Sequence, residues 1–242
     1  MNFEEMNLKL AFLAGKYAVA ERGEITPGKH GAQLKYADGR SAVLLPWRVE
    51  RRFAELRKMT EDGTLEDVST LRLAAADGSK TLGELMFREL DICAFLGKSE
   101  ISGVFMVAGG GSTANLLVKL ADGKRAAIEL SCILPGGAEP MDRHELIARR
   151  GVACDRVVDT QVPQSSIYMF TSDGEARYTD TDSELFGLSA EEINTVRAAF
   201  ELLKNPDLAD EWNTCAVRAE RVAAAALESA ETMNPATFPE AR

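Results

Sequence analysis

The chain has 242 residues, of which 45% are apolar and 27% charged, and its formal net charge is −10. That composition supplies a core for one large domain or two modest ones, while an acidic balance without any clustered Lys/Arg run argues against a nucleic-acid partner, whose phosphates must be met by grouped cations. No stretch approaches the ~18 apolar residues of a membrane helix, and the first residues lack the basic and apolar regions of a signal peptide, so the expectation is a cytoplasmic protein with no membrane partner.

Residues 2–14 read as an amphipathic helix, with Asn2 as its cap, Phe3, Met6, Leu10 and Leu13 as its stripe and Gly15 as its stop. Residues 16–21 read as a short buried strand, a loop or short helix follows around Pro27 and Gly28, and residues 41–47 read as a further strand. The cadence is β-α-β. Val49, Phe53, Leu56 and Met59 have helical spacing closed by Gly63, and residues 68–75 alternate like a strand.

The best-marked helix is residues 81–97. Thr81 and Glu84 form a capping box, and Gly97 is a natural stop. Glu84, Arg88 and Asp91 share one face, while Met86, Leu90, Cys93 and Leu96 lie on another and can pack. A polar stripe of this kind is either a solvated salt-bridge face or a site. Beyond Gly97, the short runs at 102–108, 115–120, 125–133, 144–149, 153–158 and 165–170 are separated by Gly, Asp and Pro, which predicts an antiparallel meander. Ser189 and Glu192 make a second capping box, and an Ala-rich helix spans about 215–232.

Gly109-Gly-Gly-Ser-Thr-Ala114 fits a dinucleotide fingerprint, with Glu129 as the ribose acid. Ala121 comes only seven residues after Ala114, too few for a crossover helix, and a hairpin turning at Asp122-Gly123 explains the stretch better. Cys93, Cys132, Cys154 and Cys215 are scattered, and with His30 and His144 as the only histidines neither a disulfide framework nor a metal site is expected. The acids of residues 178–184 lack the turn glycine of a calcium loop and read as solvated. Gln164 to Tyr168 and Arg143-His144 read as polar strand ends able to line a pocket.

Residues 7–23, ending Glu21-Arg22-Gly23, resemble the helix-strand segment that leads to the Glu-Lys-Pro motif of the Gfo/Idh/MocA oxidoreductases. Residues 84–97 resemble that family's Asp-x-x-x-His-x-x-Asp helix, and residues 216–230 are similar to its closing helix. The resemblance implies an α+β protein in two parts. Residues 1–48 would be a β-α-β remnant of a nucleotide-binding domain entered partway. Residues 49–242 would form a substrate-binding and dimerisation domain, a large, mostly antiparallel open sheet with helices on one face.

On this resemblance the family's lysine falls on Arg22, its active-site aspartate on Glu84 and its histidine on Arg88, while Asp91 keeps the family residue. The family's lysine and histidine shuttle a hydroxyl proton as hydride leaves, a task arginine, with a pKa above ~12, cannot perform. The expectation is therefore a homologue without a cofactor, NAD(P) binding or dehydrogenase activity, acting as a ligand-binding or partner subunit and pairing as a homodimer through its sheet. Glu21, Arg22, Glu84, Arg88 and Asp91 would hold a small anionic or sugar-like ligand, or pair among themselves and seal the cleft. Two alternatives remain: an active NAD(P)-dependent sugar or polyol oxidoreductase completed by another subunit, and a purely structural dimerisation module.

Overall fold

A computed structural model describes residues 1–135, 138–155, 166–171, 174–179, 184–185 and 187–238. The contacts group residues 1–51 with 181–218, and residues 52–180 with 219–242, where the sequence suggested 1–48 and 49–242. Each unit is built around its own sheet.

In the first unit, helix α1 (Phe3–Lys16) starts at Asn2, whose side chain accepts the Glu5 N–H, and buries Met6, Leu10, Leu13 and Ala14. Gly15 does not stop it. Strands β1 (Gly23–Gly28), β2 (Gly31–Tyr36) and β3 (Ser41–Val43) then form an antiparallel sheet in the order β1-β2-β3. The β-α-β cadence expected over residues 1–48 is thus replaced by a helix and two hairpins, and the strand expected at 16–21 is the helix end and its connection. Pro27 lies inside β1, opposite Ala32; proline is tolerated there because β1 is an edge, where a missing donor leaves no ladder bond unmade. Gly31, at φ +98°, makes the tight turn that returns the chain.

Both edges of this small sheet are closed by asparagines. The Asn7 amide donates to the Ile25 carbonyl at 3.0 Å and accepts the Ile25 N–H at 2.7 Å. Asn213 does the same on the other side, accepting the Val43 N–H at 2.9 Å and donating to the Ser41 carbonyl at 3.1 Å. An amide offers one donor and one acceptor at backbone spacing, so each asparagine stands in for a further strand. Helix α4 (Ala190–Lys204) begins in the expected capping box of Ser189 and Glu192 and packs on α1, with the Tyr17 and Phe200 rings 5.6 Å apart. Buried Tyr36 donates its hydroxyl to the Leu202 carbonyl. Helix α5 (Leu208–Thr232) supplies Asn213.

The second unit contains helix α2 (Arg51–Glu61), strand β4 (Val68–Ala76), helix α3 (Leu82–Gly97), and strands β5 (Ile101–Gly109), β6 (Thr113–Leu120), β7 (Arg125–Ser131), β8 (Met141–Ala148), β9 (Gly151–Cys154), β10 (Ser166–Thr171), β11 (Gly174–Thr179) and β12 (Ala236–Thr237). They form a nine-stranded sheet ordered β11-β10-β9-β8-β4-β7-β6-β5-β12. Every pair is antiparallel except β4 with β7, which α3 helps connect. The fold class is α+β, as expected.

Asp122-Gly123 does turn a hairpin between β6 and β7, and Gly123 adopts φ +97°. Helix α3 lies on one face of the sheet, against β4, β6 and β7. Along β6 the burial alternates, with Ala114, Leu116, Val118 and Leu120 inside and Asn115, Leu117 and Lys119 outside, as one covered face requires. The α3 capping box of Thr81 and Glu84 is formed as predicted. Its C-cap, however, is Lys98 in the left-handed region. Gly97 serves packing instead: a Cβ there would come within 2.4 Å of the Leu120 Cδ1. Among the described residues, no helix is long and apolar enough to cross a membrane.

Candidate functional site

Helix α3 is buried almost all round, and one of its inward positions is Glu89, fully buried among Leu85, Met86 and Leu90. A carboxylate there needs partners, because an unpaired buried charge is very costly. It has two. Glu89 Oε2 lies 2.9 Å from His144 Nε2, and Glu89 Oε1 accepts from Arg88 Nη1 at 2.9 Å.

His144 comes from β8. Because Glu145 pairs with Cys154 across β8 and β9, the next residues outward, His144 and Asp155, are also opposite. The Asp155 Oδ2 is 2.5 Å from His144 Nδ1, and its Oδ1 accepts the His144 backbone N–H at 2.7 Å. Arg52, at the start of α2, donates to Asp155 at 3.0 Å and to both oxygens of Asp142 at 2.6 and 2.8 Å. Arg88 closes the circuit by donating to Asp142 Oδ2 at 2.6 Å. Asp142, Arg52, Asp155, His144, Glu89 and Arg88 therefore form a ring in which acids and bases alternate.

Phe53 sits against this ring. The Arg52 guanidinium carbon is 4.4 Å from its centroid and that of Arg88 5.9 Å, and the imidazole of His144 meets it edge-on at 4.6 Å. All three cations face one aromatic ring, an arrangement the quadrupole of the ring favours.

The ring is neutral only if His144 is an imidazolium. Burial opposes that charge, but the Asp155 and Glu89 carboxylates at its two nitrogens outweigh burial and raise the pKa from 6.5 to about 10. Asp142 is likewise opposed by burial and held well below the usual carboxylate range by Arg52 and Arg88. Asp155 is lowered despite burial by His144 and Arg52. Three positive and three negative side chains thus balance. Asp142, His144 and Asp155 offer ligand atoms within 4.8 Å of one another, as a metal would need. The Arg52 guanidinium already bridges the two carboxylates, and both imidazole nitrogens are engaged, so a metal would have to displace a resident cation.

The residues singled out from the sequence fall in different settings. Arg88 is in the ring, but its partners are Glu89 and Asp142, where Glu84 and Asp91 were expected. Glu84 is exposed and occupied with the Thr81 cap, which lowers its pKa. Asp91 is buried. Arg22 belongs to the first unit and folds back on the chain, donating to the carbonyls of Val19, Ala20 and Glu21. Residues 164–165 and most of the acidic stretch 178–184 lie outside the described residues.

Arg52, Glu89, Asp142 and Asp155 were not anticipated as site residues, and His144 only as a strand end. The available signal was Glu89 itself, a charge one helical turn from Leu85, Met86, Ile92 and Cys93. A separate open cleft of about 490 Å³ is lined by Thr60, Asp67, Ser69, Asp122 and Lys124 among others, and its charges are mutually paired, Asp122 with Lys124 and Asp67 with Arg149.

The resemblance implies a nicotinamide dinucleotide for the family, whose pyrophosphate sits on a glycine turn opening a helix N-terminus. Residues 109–113 do not fit it. They join β5 to β6 with no helix following, the Ser112 N–H donates to the Gly109 carbonyl, and the Ser112 carbonyl accepts from Cys132.

No family model and no curated protein matches the sequence. Solved structures do. An oxidoreductase from Agrobacterium radiobacter, in complex with NAD+, L-tartaric acid and magnesium, matches at a TM-score of 0.66 and 13% identity over 81% of this chain and 64% of that one. An inositol dehydrogenase homologue from Azotobacter vinelandii, complexed with NADH and myo-inositol, matches at 0.65 and 11% identity over 81% and 64%. A levoglucosan dehydrogenase, in complex with NADH and L-sorbose, matches at 0.65 and 12% identity over 81% and 65%. The chain spans a little under two thirds of the length of these structures. At such identities the likeness is one of architecture, and the chain has the fold of the Gfo/Idh/MocA-type oxidoreductases.

Proposed function

We propose that the chain is an oxidoreductase homologue that does not transfer hydride, a ligand-binding subunit that pairs with a second copy across the open face of its nine-stranded sheet. The observation that carries this reading is the commitment of Arg88. On the resemblance it stands where the family has its histidine, and both of its terminal nitrogens are held by carboxylates. A guanidinium does not release a proton near neutrality. His144 is no substitute, since it is fully buried and keeps its proton up to about 10.

Pairing with a second copy is favoured by the outward face of the sheet. It carries Val107 and Leu117, 45% and 63% exposed, beside charges of both signs at Arg72, Arg143 and Glu129. An isologous contact sets each patch against its own copy, so a surface that mixes apolar area with both signs of charge can complement itself. The similar structures hold tartaric acid, inositol or sorbose, which favours a small acidic or polyhydroxylated ligand here.

Fluorescence titration with NADH and NADPH, together with a hydride-transfer assay on inositols and sugars, tests the first half. No binding up to millimolar coenzyme and no turnover are expected; micromolar affinity would overturn the reading in favour of an oxidoreductase completed by another subunit. Light scattering tests the second half, with a dimer expected and its dissociation by Leu117→Glu.

A further inference from the structure

Of the three carboxylates in the charged ring, Glu89 and Asp155 are fully enclosed, and only the Asp142 side chain, 23% exposed, reaches solvent. Both of its oxygens are held by guanidinium groups, two bonds from Arg52 and one from Arg88. Two guanidiniums converging on one carboxylate is how proteins seize a small carboxylate ligand, because the planar forks match its two oxygens. Here the carboxylate belongs to the chain itself.

Its place in the fold makes it the removable member. Asp142 is the second residue of β8, after exposed Met141, so swinging it outward disturbs only the end of the ladder with Ala75 and Ala76. Arg88 is likewise 23% exposed at the same rim. With Asp142 withdrawn, the ring would hold Arg52, Arg88 and protonated His144 against Glu89 and Asp155, an excess of one positive charge beside solvent. That vacancy has the charge and the donor geometry of a single carboxylate.

We propose that Arg52 and Arg88 form a binding site for a small carboxylate, kept closed by Asp142 as an internal competitor that an external carboxylate displaces. The inference rests on the reading of the chain as a ligand-binding subunit and gives that ligand a chemical class.

The test is a thermal-shift titration of the wild-type chain and of Asp142→Asn with acetate and formate, at ionic strength held constant with chloride. Asp142→Asn keeps the shape and removes the competing charge. Its apparent Kd for acetate is expected to be at least about tenfold below that of the wild type, and this gain should vanish when Arg88→Gln is added. Absence of an acetate-specific gain overturns the proposal, as does a gain that survives Arg88→Gln. If Asp142→Asn does not fold alone, recovery of folded protein in acetate but not in chloride supports the site, and no recovery overturns it. Coenzyme binding by the wild type would refute the non-dehydrogenase reading while leaving this result intact.

Discussion

The two units find partners for their polar groups by opposite means. In the first, neutral amides do it: Asn7 and Asn213 each close a strand edge with one donated and one accepted bond. In the second, ions do it, through six alternating charges held around Phe53. A neutral pair can lose one partner and strand only a single dipole, whereas each fully enclosed member of the ring, Glu89, His144 and Asp155, is needed to keep its neighbours compensated. The second unit is therefore the more brittle of the two.

The largest effect should come from breaking the ring. His144→Gln leaves Asp155 and Glu89 facing each other without the intervening charge, and should destabilise the second unit by about 3–5 kcal/mol. Urea unfolding followed by tyrosine and tryptophan fluorescence would measure it, and a loss under about 1 kcal/mol would show that the ring carries no such weight.

The pH dependence sharpens the same contrast. The folded His144 pKa of about 10 lies above its ordinary 6.5, so its contribution is fully present below 6.5 and is lost as pH rises towards 10. Burial, and secondarily the Glu89 carboxylate, pushes the Cys93 thiol to about 12, outside this window. The stability difference between wild type and His144→Gln should therefore narrow from pH 6.5 to 10, and parallel curves would count against a protonated His144.

The smallest effect belongs to the amide edges. Asn213→Ala leaves the Val43 N–H and Ser41 carbonyl without this partner, at about 1–2 kcal/mol. It should leave the alkaline slope unchanged, and any change in that slope would break the distinction between the two strategies.

Features written in local chemistry were legible in the sequence. The two capping boxes, at Thr81-Glu84 and Ser189-Glu192, and the Asp122-Gly123 hairpin depend on residues within a few positions of one another. The first sheet was misread because Pro27 and Gly28 signal a loop, while the strand that contains them is an edge whose missing donor is harmless. The charged ring was not legible as a unit. Its members are separated by as many as 103 positions, as Arg52 is from Asp155, and only the pairing of β8 with β9 and the burial of α3 bring them together. Arg88 could be marked as unusual from its helix position, but its partners could not.

The asparagine that seals β3 also makes that edge depend on the amide nitrogen of a single side chain. Hydrolysis of the Asn213 amide to a carboxylate would exchange a nitrogen that donates to the Ser41 carbonyl for an oxygen that repels it, while keeping the acceptor for Val43. An Asn213→Asp chain would thus carry the same shape, one more negative charge, and a strand whose outer carbonyl lacks this donor.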